Sequence, residues 1–224
     1  AVINTDLKRD GKTLLFFFAP GYQGNSDPKS ELSLSGIEDV TGLRGVKKLD
    51  EQHVLGLTLN DAALVKDLSP REFDAIGWWG KEQIENYGNA IGPAFYLDAA
   101  QSNGWTPLAT LRLDEKNDAA KVALATLKTP NFTSIYSVLP DLPTAVLSAI
   151  AQQSGVHIYS RPGILTWAGH DFLCVSTGRA AGQIKLSARE AVTWIEPFEK
   201  KIYAKNSPTL TIDLQAGETK FFCL

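Results

Sequence analysis

The chain has 224 residues, 44% of them hydrophobic and 21% charged, enough to bury a sizeable core and too apolar for a disordered tail or a collagen-like fibre. Its 22 basic and 25 acidic residues give a net charge of −3 and are mixed along the sequence, which leaves no basic stripe for nucleic acid. No apolar run approaches the roughly 18 residues that cross a bilayer, the longest being Leu14 to Ala19, so no membrane partner is expected.

The start, Ala-Val-Ile-Asn-Thr-Asp, carries neither an initiator Met nor a signal-peptide pattern and reads as a processed chain or a piece of something longer. The first strong element is Thr13 to Phe18, apolar on both faces like a mid-sheet strand. It runs into Ala-Pro-Gly-Tyr, the kind of loop that edges a crevice in an α/β sheet. Ser35 to Thr41 fits one or two helical turns stopped by Gly42. Leu43 to Leu49 and His53 to Leu59 alternate like a hairpin or two edge strands, Asp61 to Leu68 has a helical pattern, and Ser69-Pro70-Arg71-Glu72 resembles a helix start. Strands are expected at 94–97, 106–113, 121–127 and 133–138, and a helix over Thr144 to Ser154 closed by Gly155. Beyond Val156 short strands recur with turns roughly every ten residues, the pattern of a small β-sandwich. They are expected at 157–159, 164–167, 172–176, 183–186, 191–195, 201–204, 209–214 and 219–224. Two domains follow, an α/β part over 1–157 and an all-β part over 158–224.

The chemistry-bearing motifs are sparse. There is no nucleophile elbow, Walker sequence, G-x-G-x-x-G, H-E-x-x-H or paired C-x-x-C, and no cofactor is expected. His53, His157 and His170 lie far apart without clustered ligand types, so no metal site is expected. Cys174 and Cys223, the only cysteines, read as two buried free thiols in preference to a disulfide, which leaves the redox compartment open. His170 and Cys174 lie four apart on a strand, too divergent for a nucleophilic pair. A glycosidase-type carboxylate pair needs two acids facing each other across about 5 to 10 Å. Asp98 and Glu82 are the candidates, with Asp74 and Glu85 near the double Trp. Tyr22, Trp78, Trp79 and Trp105, with Tyr87, sit in loops and could stack on sugar rings or pack in the core.

Five phrases occur in order: Phe17-Phe18-Ala19-Pro20-Gly21-Tyr22, Ile37 to Leu43 (IEDVTGL), Ile91 to Tyr96 (IGPAFY), Ser134 to Pro143 (SIYSVLPDLP) and Ser154 to Tyr159 (SGVHIY). In that order they resemble the C-terminal part of bacterial β-galactosidase-type glycoside hydrolases, over nearly the whole chain. The resemblance implies a glutamine-amidotransferase-like α/β domain, catalytically inactive and lacking its first βα units, followed by the β-sandwich. It implies an assembly role, with a larger catalytic (β/α)8 barrel as partner, catalytic acids outside this chain, and an oligomer. Carbohydrate is a candidate ligand of the loop aromatics, and a periplasmic or secreted location is implied by analogy. The other readings are a carbohydrate-binding module and a self-contained glycosidase using Asp98 and Glu82.

Overall fold

A computed structural model of the chain describes residues 3–23, 32–49, 54–74, 93–113, 120–179 and 181–224. The chain forms two compact units, Ala1–Val146 and Leu147–Leu224.

The first unit is built on an eight-stranded sheet. Its strands are β1 (Lys12–Phe17), β2 (Val46–Leu49), β3 (Val54–Leu59), β4 (Glu72–Asp74), β5 (Ala94–Asp98), β6 (Thr106–Leu113), β7 (Lys121–Lys128) and β8 (Phe132–Ser137). The main path runs β1-β8-β7-β6-β3-β4, with β5 pairing β7 and β2 pairing β5. Only β1 and β8 run parallel among the described pairings, from Lys12↔Phe132 to Phe17↔Ser137. The expected α/β domain is therefore found as a mostly β unit, a mixed sheet dominated by antiparallel neighbours. Antiparallel strands can follow one another through short turns and need no helical crossover between them. The turn between β7 and β8 is one such link: the Thr129 hydroxyl accepts from the Asn131 and Phe132 amides and donates to the Phe132 carbonyl.

The run at 13–18 is not a mid-sheet strand among the described residues, because β1 ends the path and its side chains are half-buried. The runs at 43–49 and 53–59 do not form a hairpin, since β2 pairs β5 and β3 lies between β4 and β6. Residues 61–68 make turns rather than a helix. Glu72 enters β4, where Phe73 opposes Leu57.

Helix α1 (Leu34–Thr41) buries Ile37 and Thr41 and stops at Gly42, whose left-handed conformation (φ 82°) turns its amide onto the Glu38 carbonyl at 2.7 Å. Helix α2 (Thr144–Gln153) ends in a Schellman arrangement. The Gly155 amide reaches Gln152 and the Val156 amide reaches Ala151, and Gly155 has φ 78°.

The second unit is a five-stranded sheet ordered β12-β11-β13-β10-β9. The strands are β9 (Leu165–Ala168), β10 (Phe172–Ser176), β11 (Gly182–Glu196), β12 (Lys201–Leu214) and β13 (Thr219–Cys223). Four of the expected short strands are thus two long ones, and residues 157–159 are not a strand. The long pair is bulged, with register shifts between Ser187 and Ile195 opposite Asn206 and Pro208, where proline has no amide for the ladder. Those irregularities broke the period-2 pattern and made each strand read as two. The β11 half before the bulge pairs with β12, and Ile195 beyond it also pairs with Cys223 of β13. One core collects side chains from both halves: Leu173 and Val175 of β10, Ile184, Leu186 and Trp194 of β11, Ile212 of β12 and Phe222 of β13.

Trp194 is at the centre of that core. Its ring meets Phe222 edge-on at 5.8 Å and its indole N–H donates to the Ser207 carbonyl at 3.0 Å, at the bulge in β12. Trp194→Ala is expected to cost about 3–5 kcal/mol by leaving a large cavity. Trp194→Phe is expected to cost roughly 1–3 kcal/mol by orphaning the Ser207 carbonyl. Urea unfolding of the two variants followed by circular dichroism checks both, and equal costs would contradict the role given to the indole N–H.

Candidate functional site

The loop that follows β1 is held from below by β8. Phe18 adopts a left-handed conformation (φ 59°), its amide donates to the Ser137 carbonyl at 2.8 Å, and its carbonyl accepts from the Tyr136 hydroxyl at 2.5 Å. Tyr136 is fully buried, and desolvation pushes its phenol above the usual range, so it serves as a neutral donor. The chain then turns through Ala19 to Tyr22, with the Tyr22 amide on the Ala19 carbonyl at 3.1 Å and the Ser33 amide on the Tyr22 carbonyl at 2.9 Å. The Phe18 and Tyr22 rings both lie against Phe95, at 5.5 and 5.0 Å between centroids. Tyr22 is half-buried, so one side of its ring is packed.

This loop lies directly on helix α1. A Cβ on Gly36 would stand 2.1 Å from the Gly21 carbonyl oxygen, and one on Gly21 would stand 2.6 Å from the Gly36 oxygen. Only glycine permits two backbones to approach so closely. Glu38, two residues and about half a turn further along α1, is the hub on the other side. One carboxylate oxygen accepts from the Gly45 and Val46 amides at 2.7 and 3.1 Å, and the other from the Arg44 guanidinium at 3.0 Å. Partial burial works to raise its pKa. The Arg44 hydrogen bond, the two amides and the Arg44 charge outweigh that and hold the carboxyl below the usual carboxylate range.

The structure brings together few of the residues the sequence singles out. Trp105 is buried, 5% exposed, with its indole N–H on the Arg44 carbonyl at 2.9 Å, which makes it a packing residue with no open ring face for a sugar. The half-buried Asp98 accepts from the Ala100 amide at 3.0 Å as the N-cap of a single 3-10 turn, Ala99–Gln101. Asp74 forms an exposed ion pair with Arg112 across the sheet. Trp78, Trp79, Glu82, Glu85, Tyr87 and His53 lie outside the described residues. His157 donates its Nε2–H to the Ser187 carbonyl at 2.9 Å and packs edge-on against Tyr159. Among the described residues no three His, Cys, Asp or Glu side chains gather where a metal ion could sit, and no helix is long and apolar enough to cross a membrane.

The second unit contains a cleft of about 530 Å³ that no local sequence pattern marks. Tyr159, His170, Asp171, Arg189 and Glu190 line it, with Leu224 at one wall. Arg189 and Glu190 are both exposed because the bulge in β11 breaks the alternation that would send one of them inward. His170 is hydrogen-bonded to Asp171, and both are exposed. The lining combines both charge signs with one aromatic residue. It can hydrogen-bond a hydroxyl-rich ligand and contains no buried nucleophile.

No protein-family model matches the chain, and no curated protein matches its sequence. Solved structures do match in fold. The β-galactosidase from Bacillus circulans sp. alkalophilus superposes with a TM-score of 0.56 at 13% identity, over 96% of this chain and 29% of that one. A β-galactosidase from the Antarctic haloarchaeon Halorubrum lacusprofundi gives 0.54 at 12% identity, over 99% of this chain and 28% of its own. The cold-adapted enzyme from Rahnella sp. R3 gives 0.55 at 12% identity, over 97% and 29%. The chain therefore has the fold of a part of these proteins and spans less than a third of their length.

Two substitutions probe the loop and its helix. Gly36→Ala normally stabilises a helix by up to about 1 kcal/mol, yet here it is expected to destabilise, because the new methyl meets a carbonyl oxygen. A rise in thermal midpoint would contradict the contact. For Glu38, a depressed folded-state pKa contributes stability that is complete above the unfolded carboxyl pKa, near 4.3, and is lost as pH falls through the folded value. Glu38→Gln is expected to cost about 1–3 kcal/mol at pH 7. Below pH 4 the gap between Gln and wild type is expected to narrow, as read from denaturation midpoints across pH 3–7.

Proposed function

We propose that this chain is a non-catalytic portion of a β-galactosidase-type glycoside hydrolase that holds its assembly together, with the acid and nucleophile elsewhere in the polypeptide. The observation that carries this reading is the fold match to β-galactosidases, which takes in 96–99% of this chain and 28–29% of each neighbour quoted. The sequence phrases that resemble such enzymes fall on elements that matter to the fold: the β1 loop, α1, β5, β8 and the end of α2. In this reading residues 1–157 descend from an amidotransferase-like domain, and residues 158–224 are the small β-domain that follows it, built on one five-stranded sheet where a two-sheet sandwich was expected. The partner is a larger barrel-bearing portion, and the whole is an oligomer.

The use of candidate acids agrees with a non-catalytic part. Asp98 is occupied as a helix cap, and Tyr136, the most perturbed described group, is buried and satisfied by a backbone carbonyl. Tyr22 and the double Trp at 78 and 79 are then proposed as contributors to the rim of a carbohydrate site. A second reading, a carbohydrate-binding module, is favoured by the polar cleft beside Tyr159.

The isolated 24.4 kDa chain is expected to leave a nitrophenyl galactoside unhydrolysed, and material from the source organism to carry this sequence in a species of larger native mass. Robust hydrolysis by the isolated chain would overturn the proposal. For the second reading, galactose or lactose at millimolar concentration is expected to perturb the fluorescence of the isolated chain, and Arg189→Ala to abolish the change.

A further inference from the structure

One end of the outer face of the five-stranded sheet carries two apolar rows, while the far arm of β11 and β12 presents Gln183, Lys185, Thr211 and Asp213 on that face. In register, Ile202 of β12 lies opposite Ile195 of β11, Ile195 opposite Cys223 of β13, and Cys223 opposite Phe172 of β10. One step along, Phe221 lies opposite Cys174, and Cys174 opposite Trp167 of β9. Directly opposed residues share a face, and the alternate positions Leu173, Val175, Phe222 and Trp194 are fully buried on the other side. Neither row contains a charged residue. Phe172 stacks on Phe221 at 5.4 Å, and Phe198, in the turn between β11 and β12, leans edge-on against Phe221 at 6.1 Å.

This face is exposed in the chain by itself: Phe198 by 81%, Leu165 by 57%, Trp167 by 53% and Ile202 by 49%. With Phe172 and Ile195 the six side chains present on the order of 600 Å² at roughly 200 Å² for a large residue, the upper end for a monomer's largest patch. One partner's share of a standard interface is about 800 Å². The beginning of the adjoining turn is fixed, since the buried Glu196 accepts from the Glu199 amide, and Glu199 is ion-paired with Lys220. Phe198 is thus a held knob and needs an apolar socket. The cleft of the same unit is lined by Arg189, Glu190 and Asp171, so a second copy does not offer one there.

We infer that this sheet face is the surface on which the remainder of a glycoside-hydrolase polypeptide packs. The inference rests on the reading of the chain as part of such a protein: more than two thirds of each of these β-galactosidases lies outside the matched fold, polypeptide enough to cover a face of this size. The only two cysteines of the chain, Cys174 and Cys223, both lie in the opposed rows and report on whether the face is covered.

The test tags this sequence in its source organism, isolates the native assembly and measures its mass. N-ethylmaleimide labelling of Cys174 and Cys223 is then timed in that assembly and in the isolated chain, with adducts located by peptide mass spectrometry. Both thiols are expected to label about tenfold or more slowly in the assembly, as for groups exposed only by local opening. Phe198→Asp, a change at an exposed position, is expected to restore fast labelling. Equal labelling in the presence of a larger polypeptide would overturn the inference and leave the hydrolase reading standing. Absence of any larger polypeptide would remove both. A dimer of the isolated chain that Phe198→Asp dissociates would assign the face to a second copy instead.

Discussion

Strand β8 carries three hydroxyls into the interior of the first unit, and each has to find a partner because an unsatisfied buried polar group costs about 1–3 kcal/mol. Ser134 donates to the Thr41 carbonyl at 2.6 Å, Tyr136 to Phe18 and Ser137 to Leu139 at 3.0 Å. The three acceptors belong to the end of α1, the loop after β1 and the chain leaving β8. One strand thereby positions the helix and the loop around it, and Thr41 adds its own side-chain bond to the Ile37 carbonyl at 2.8 Å. Removing any of these hydroxyls would strand a carbonyl that the surrounding backbone cannot easily turn toward water.

The legible part of the fold is the part written in uninterrupted local patterns. Residues 106–113 and 172–176 alternate or run apolar without a break and are strands over those same limits. The two α-helices among the described residues were marked by Gly42 and Gly155, whose left-handed conformations are what stops them. Pairing was not legible. Whether β2 joins β3 or β5 depends on contacts between residues far apart in sequence, which a local pattern does not encode. The long β11 and β12 strands were hidden for a related reason: a bulge changes the face on which residues point, so the period is lost while the strand continues.

The candidate site was legible to a smaller degree. The Ala-Pro-Gly-Tyr loop announced a tight turn, and that turn does sit on a helix. Its closeness depends on Gly36, fourteen residues beyond Tyr22, which nothing local marks. Trp105 and Asp98 have the composition of ligand-binding residues but are used as a packed indole and a helix cap. Residue type states what a side chain can do, and only its surroundings decide which of those things it does. The cleft residues Arg189 and Glu190 were missed because two adjacent charges on a strand ordinarily point to opposite faces. The order of the short phrases proved the most informative signal, since solved β-galactosidases carry the same fold at 12–13% identity.

The paired long strands of the second unit also bear on how that unit folds. The turn that joins them is short, running from Pro197 to Lys200, with Lys200 in a left-handed conformation (φ 53°). Zipping outward from it brings together residues whose separation grows only gradually, so each step closes little additional chain. The more distant pairing of β10 with β13 then docks onto a ribbon already in place. Topologies whose distant contacts can be deferred in this way have low effective contact order and reach the native state faster than sandwiches assembled from strands far apart in sequence. A single hairpin spanning both halves of the core thus makes the five-stranded sheet kinetically simpler than its strand count suggests.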